Sequence, residues 1–350
     1  MIQDLMSFQL NSGAVFDQNR EKIDSFGNDD QALKYLQDTV LICDRSHWGV
    51  LQLKGADRQR FLHNQTTNNI NILKSGQSCN TVFVNSTGRT LDLATAYITE
   101  DSIVLLVSPN RRQFLIEWMD RYLFPMDKVE ITDISSDNIV LTLIGDGSDL
   151  ILQKWGINDI VNLSEGDHTL VTIENDTFRI AVGTGLGITG YTLIIPVESA
   201  LTVWQKLIEL GSIPVGNNVW EKLRIKQGRP YPDQELTEDY NPLEVGLWQA
   251  ISFDKGCYIG QETIARLNTY KGVKQRLWGV KLSQLVEPGT PVMLDDNKVG
   301  ILTSCTEIEQ EAFGLTYVKT KAGGEGLNIT IGLATGELIA LPFLSHEYYS

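Results

Sequence analysis

The feature that most constrains the fold lies at Lys271, where helical periodicity stops and a different pattern begins. Beyond it, residues 277–282, 292–294, 299–303, 312–318 and 329–333 read as short apolar strands at roughly even spacing, with turn residues between them. Short strands in that rhythm close most readily on their neighbours, which suggests a small antiparallel barrel or sandwich as a C-terminal domain over 273–350.

Upstream the pattern is mixed. Residues 1–40 form a polar, helix-tending extension in which 31–36 is the strongest helical piece. Apolar alternation over 40–42 and 49–53 reads as a pair of strands. Residues 57–64 form a short amphipathic helix with Phe61 and Leu62 inward. Strands 82–84 and 91–98 are joined through Asn85-Ser86-Thr87-Gly88, a turn with glycine at its end. After a strand at 103–107, Phe114, Leu115, Trp118, Met119 and Tyr122 are spaced to give the helix 112–123 one buried face. Strands 129–134 and 139–144 follow, then 178–182 and 191–196, with helices at 198–210 and 216–227. The order is that of an α+β fold rather than a doubly wound sheet, with two lobes filling 41–272.

The chain has 350 residues, enough for two or three domains. Its net charge of −15 disfavours nucleic acid and anionic membranes, but leaves room for a local basic pocket that takes an anionic small molecule. There is no apolar run long enough to span a bilayer. The N-terminal stretch lacks the basic-then-apolar layout of a secretory signal and is too acidic for a transit peptide. A monomer working in the cytoplasm is expected. Cys43, Cys79, Cys257 and Cys305 form no CxxC pair, and His47, His63, His168 and His346 form no HxxxH or HExxH spacing, so no dedicated metal site is expected. The run Gly183–Gly190 lacks the Lys-Ser/Thr ending of a phosphate loop and leads into a strand, so it reads as a hairpin connection.

The densest signal runs from Gln227 to Arg266 and centres on Lys255-Gly256-Cys257-Tyr258-Ile259-Gly260-Gln261-Glu262. Glycines bracket the cysteine, as a sharp turn or a close approach requires. A helix starting near Gly260 and running through Arg266 would, with Lys255, lower the pKa of Cys257. A thiolate there can be a nucleophile, a soft-metal ligand or a redox sensor. The other reading is a small buried cysteine in a Gly-rich turn, and the residues alone leave both open.

This stretch resembles the K-G-C-Y-x-G-Q-E signature of the YgfZ-type folate-binding proteins, the iron–sulfur-maintenance branch of the glycine-cleavage T-protein superfamily. Every specified position matches. Upstream, Gly228-Arg229-Pro230, Glu235-Leu236, Pro242-Leu243-Glu244, Gln65-Thr66-Thr67 and Val84-Asn85 extend the similarity, and Gly289-Thr290-Pro291 and Gly314-Leu315 extend it downstream. The resemblance implies a T-protein-like arrangement of three lobes around a central folate cleft. It implies tetrahydrofolate, or a one-carbon derivative, as cofactor and iron–sulfur proteins as clients. It makes Cys257 the functional thiol, supported by Lys255, Gln261, Glu262 and Arg266, and places Asn85, Asp92 and Arg224 at the folate. Such a protein is an accessory factor rather than a turnover enzyme. The alternatives are a folate-dependent aminomethyltransferase or a thiol-based regulatory module. Aminomethyltransferases carry paired acids where this chain has Asp92-Leu93, and an acid where it has Gly187-Ile188-Thr189-Gly190, which speaks against aminomethyl transfer.

Overall fold

The computed structural model describes residues 2–349. The chain divides into two compact units that are interleaved in sequence. One comprises Met1–Arg58, Leu73–Ser78 and Ala96–Glu221; the other comprises Gln59–Ile72, Cys79–Thr95 and Lys222–Ser350.

The first unit is built on a six-stranded sheet in the order His168–Ile173, Asp176–Val182, Gly190–Pro196, Asn138–Ile144, Leu41–Asp44, Ile213–Val215. Only the last pair is parallel. Ile139, Leu141 and Leu143 alternate onto one face, as strand geometry dictates. Against the same core the helix Ala200–Glu209 buries Ala200, Val203, Trp204 and Leu207. The Gly183–Gly190 run joins two antiparallel neighbours, as a hairpin connection should.

The strands expected to pair across residue 45 do not. Leu41–Asp44 pairs with Asn138–Ile144, whereas Gly49–Lys54 pairs with Ser102–Val107 and Glu130–Asp133 in another sheet. The corner between them is set by Arg45, which is 2% exposed. Its Nε donates to Thr142 Oγ1 at 2.8 Å, and its guanidinium lies 4.6 Å from the Trp48 ring and 4.2 Å from the Trp220 ring. A buried cation held between two indoles fixes the turn. The N-terminal extension also differs from expectation: it holds a helix Ile2–Asn11, a ladder of Val15–Phe16 on Ile23–Ser25, and a helix Asp29–Lys34. The helix Arg112–Asp120 buries only Leu115 and Met119. Phe114, Trp118 and Tyr122, expected inward, instead contact one another at 6.4 and 5.2 Å along the outer flank, because their i, i+4 spacing lets the rings meet each other.

The second unit holds the Cys79–Thr95 part of a hairpin of Ser78–Val84 and Thr90–Ile98, closed by Asn85 N–H donating to Arg89 O at 2.9 Å. The helices Arg58–Gln65, Asn217–Gln227, Pro242–Val245 and Gln261–Thr269 lie wholly or in part in the same unit. Asn241 caps the third of these through a reciprocal pair with Glu244. The C-terminal strands close a six-stranded barrel in the order Gln275–Leu282, Glu311–Lys319, Asn297–Ile308, Pro291–Leu294, Asn328–Ile331, Ala334–Ile339. Val280, Val292, Leu302, Val318, Ile331 and Leu338 fill it. A bulge between Leu302 and Ser304 breaks the strand register and turns the Thr303 and Ser304 hydroxyls the same way, onto Glu235. Among the described residues no helix is long and apolar enough to cross a membrane.

All four histidines resist protonation. Burial lowers the pKa of His47 to about 3 and those of His63, His168 and His346 to about 4, from an ordinary 6.5. Between pH 6.5 and 4 the unfolded chain binds protons that the folded chain does not. Stability is therefore complete above pH 6.5 and falls as the pH drops through that window, by up to about 1.4 kcal/mol per pH unit for each fully desolvated ring. Thermal melts from pH 7.5 to 4.5 should show a steep fall below pH 6.5; a flat profile would contradict the burial.

Candidate functional site

The Lys255–Glu262 segment lies wholly in the second unit. Lys255 is 6% exposed, and its Nζ donates to three backbone carbonyls: His63 O at 2.6 Å, Thr66 O at 2.6 Å and Asn68 O at 2.7 Å. An ammonium has three hydrogens, and each has an acceptor. The carbonyls come from the end of the helix Arg58–Gln65 and the turn after it, where oxygens lose their helical partners and a cation is favoured. The Tyr258 ring lies 4.6 Å from Nζ. Burial lowers the Lys255 pKa to about 7, opposed by the nearby Cys79, and burial pushes the Cys79 thiol up to about 12.

Lys255 is therefore an anchor. The sequence paired its charge with Cys257, but the ammonium is engaged by carbonyls of the 63–68 segment. Ile259 N–H adds a second tie, donating to Asn64 O at 3.0 Å. Gly260 is the third: at φ +80°, a Cβ there would meet Asn85 O at 2.7 Å and Gly88 Cα at 2.9 Å. Only glycine fits that contact. Between these fixed points Cys257 is exposed, which removes the buried-cysteine reading. The helix Gln261–Thr269 turns Ile264 inward, with Gln261 half-buried and Glu262 and Arg266 exposed.

The other expected site residues fall in distinct settings. Asn85 organises its own turn: Oδ1 accepts from Thr87 N, Thr87 Oγ1 and Arg89 N at 3.0, 2.7 and 3.0 Å, and Nδ2 donates to Glu238 Oε2 at 2.8 Å. Asp92 is fully buried in the hairpin strand. Arg224 is fully buried in a different cluster, where Nη1 meets Glu235 Oε2 at 3.1 Å and Nη2 donates to Gln234 and to Ser304 Oγ at 3.0 Å. Glu235 also accepts from Tyr231 N at 3.0 Å, Thr303 Oγ1 at 2.7 Å and Ser304 Oγ at 2.6 Å. The structure thus brings the Asn85 turn against the cysteine loop and ties Arg224 to the barrel.

Three residues near Lys255 were not singled out as site residues by the sequence: His63, Cys79 and Gln65, the last of which lies in the Gln65-Thr66-Thr67 stretch of the resemblance. His63 Nδ1 and Gln65 Oε1 are buried without a partner among the described residues, and burial together with Lys255 keeps His63 neutral. Buried, unsatisfied acceptors of this kind suit a ligand that brings N–H donors. The packing of the cysteine loop on the 63–68 segment brings them to notice, and for Gln65 the Gln65-Thr66-Thr67 stretch was the available signal.

Residues 10–255 match the family model of the GCVT N-terminal domain. A chloroplastic Arabidopsis thaliana protein that carries a transferase name, At1g60990, is 43% identical over 329 residues, covering 93% of this chain and 76% of that protein. An aminomethyltransferase of Halothermothrix orenii is 28% identical over 314 residues, covering 86% of this chain and 87% of the relative. The structure of the glycine cleavage system aminomethyltransferase T of Bartonella henselae superposes with a TM-score of 0.85 at 18% identity, covering 99% of this chain and 98% of that one. The fold is shared along its whole length.

Proposed function

This chain belongs to the GCVT family and has the T-protein fold; from that membership we propose that it binds a reduced folate, and from the resemblance carried by Lys255–Glu262 that it uses Cys257 in folate-linked maintenance of iron–sulfur proteins. The observation that carries the thiol's part is its mounting. Cys257 is exposed on a short loop whose flanks are fixed by Lys255 and Gly260. A rigidly presented, accessible thiol can meet a soft metal on another protein.

The residues fit a folate. Its ring system carries N–H donors, and the second unit offers the buried Asp92 carboxylate with the unpartnered Gln65 Oε1 and His63 Nδ1. Bound tetrahydrofolate supplies a carrier for one-carbon units. The chain's own part is to accept those hydrogen bonds and to exclude water from them.

Aminomethyl transfer is the second reading, and the relatives named as aminomethyltransferases favour it. Against it stands Leu93, an apolar residue 1% exposed where the transferase pattern has a second acid. A compartment is not implied: the Arabidopsis relative is named as chloroplastic, unlike the cytoplasmic setting expected from the sequence.

Complementation of a deletion strain separates the readings. Cys257→Ser should fold and still show the thermal shift that tetrahydrofolate gives, about 2.7 kcal/mol at a hundredfold excess over Kd. It should restore little cluster-enzyme activity. Asp92→Asn should weaken the folate shift and be milder in the cell. A silent Cys257→Ser, together with glycine cleavage that Asp92→Asn abolishes, would establish the transferase reading instead.

A further inference from the structure

We infer that Tyr349 and Asn268 are positioning residues for Cys257: the segment 341–349 crosses the second unit as a strap, and Tyr349 at its far end clamps the two limbs of the cysteine loop together. The inference rests on the thiol reading above and adds what holds the thiol in one place.

The strap has no regular secondary structure, yet the chain leaves a bed for it and ties it down along its length. Leu341 is buried between two glycines. A Cβ at Gly228 would lie 2.8 Å from the Leu341 Cβ, and one at Gly279 would lie 2.6 Å from its Cγ, so a side chain at either position would push the strap away. Phe343 N–H then donates to Gln227 O at 3.0 Å, and Ser345 N–H donates to Gly246 O at 2.9 Å. His346 fastens the strap to the barrel. Its neutral ring donates through Nε2 to Leu277 O at 2.9 Å and meets the Trp278 ring edge-on at 4.0 Å, while its carbonyl accepts from Arg276. Tyr348 accepts at its hydroxyl from Val273 N–H at 3.3 Å and sets its ring against Trp248 at 5.0 Å.

Tyr349 is where the strap meets the thiol's loop. Its ring stacks on Phe253 at 5.2 Å with 19° between the planes, and its hydroxyl donates to the Asp254 carboxylate. Its backbone pairs both ways with the Asn268 side chain: Tyr349 N–H donates to Oδ1 at 3.0 Å, and Nδ2 donates to Tyr349 O at 3.2 Å. Phe253 and Asp254 immediately precede Lys255, whereas Asn268 lies in the helix Gln261–Thr269 that follows Cys257. One residue therefore joins the entry and the exit of the loop. Closing a segment at both ends removes conformations that the chain between them would otherwise visit. The ties from Lys255, Ile259 and Gly260 hold the loop to the 63–68 segment and the Asn85 turn, and Tyr349 adds a tie between its own limbs. Tyr349 is itself 52% exposed, so its contacts add little to a core. Their effect is local, on the order of the loop that carries Cys257.

The test reads hydrogen exchange over 253–259 in the full chain by mass spectrometry, together with the mobility of a nitroxide attached to Cys257, the exposed one of the four cysteines. Tyr349→Ala and Asn268→Ala should each speed exchange there by about tenfold, as a local opening does, and leave the barrel strands at the parent rate. The nitroxide spectrum should sharpen in both. Tyr349→Phe keeps the stack and both Asn268 bonds and loses only the hydroxyl, so its exchange should stay within about threefold of the parent. Combining Tyr349→Ala with Asn268→Ala should open the loop no further than either alone, since each already releases the same clamp. In a deletion strain Tyr349→Ala should restore less cluster-enzyme activity than the parent, and Tyr349→Phe should recover it. Unchanged exchange over 253–259 in Tyr349→Ala, or an equal rise across the barrel strands, would overturn the clamp. Full restoration by Tyr349→Ala where Cys257→Ser restores nothing would overturn the positioning role. Full restoration by Cys257→Ser would overturn the thiol reading instead, and the exchange rates alone would then decide the clamp.

Discussion

Lys255→Met should lower the stability of the protein by on the order of 3–5 kcal/mol, because it strands the three carbonyls that share the ammonium. Methionine keeps much of the stem's volume, so the loss measures hydrogen bonding and not a cavity. Lys255→Arg should recover little, since a planar fork cannot meet three acceptors arranged around a point charge. Cys257→Ser, at an exposed position on the same loop, should lie within about 0.5 kcal/mol of the parent. Urea denaturation of the three variants gives the comparison. A loss under about 1 kcal/mol for Lys255→Met would mean that water already serves those carbonyls, and the anchor role would fall.

The second large effect is expected at the Arg224–Glu235 pair, both members of which are fully buried. Glu235→Leu should cost about 3–5 kcal/mol, because it leaves a guanidinium charge without its counterion and also removes the acceptor of Thr303 and Ser304. Arg224→Met should cost a similar amount for the converse reason. Combining the two should recover a substantial part of either loss, since no lone charge then remains. A double-mutant cycle read by denaturant melts checks the coupling, and strictly additive losses would refute it. Folate titration of the folded double variant then decides whether Arg224 also serves the ligand. Unchanged affinity would confine it to joining helix, loop and barrel.

The barrel was legible because alternation survives burial on one face: residues 277–282 and 312–318 lie within its strands, and 329–333 overlaps a third. The strand Ala334–Ile339 escaped notice because it follows its neighbour through only Gly332 and Leu333, so the two read as one run. Local pattern also placed the helix after Gly260 and the hairpin around Asn85. It failed where a distant group decided the outcome. Arg45 separates two strands that alternation would pair, through Thr142 and Trp220 from far along the chain. The partners of Lys255 lie 187 to 192 residues before it, and they are carbonyls, which every residue has. No residue type could mark them. The motif glycine was readable as a tight spot, but its counterpart, the Asn85–Gly88 turn, emerged only with the fold.

The interleaving of the two units governs the order in which a ribosome can deliver them. The first unit is complete once Glu221 has emerged, whereas the hairpin over Cys79–Thr95 needs partners that begin at Lys222. At about 5–20 residues per second, the intervening stretch takes roughly ten seconds to synthesise. For that interval Val82, Phe83, Val84 and Leu91, all buried in the finished protein, lack the part of their own unit that 222–350 supplies. Cys257 therefore reaches its mount on the 63–68 segment late, with the last part of its unit to be synthesised.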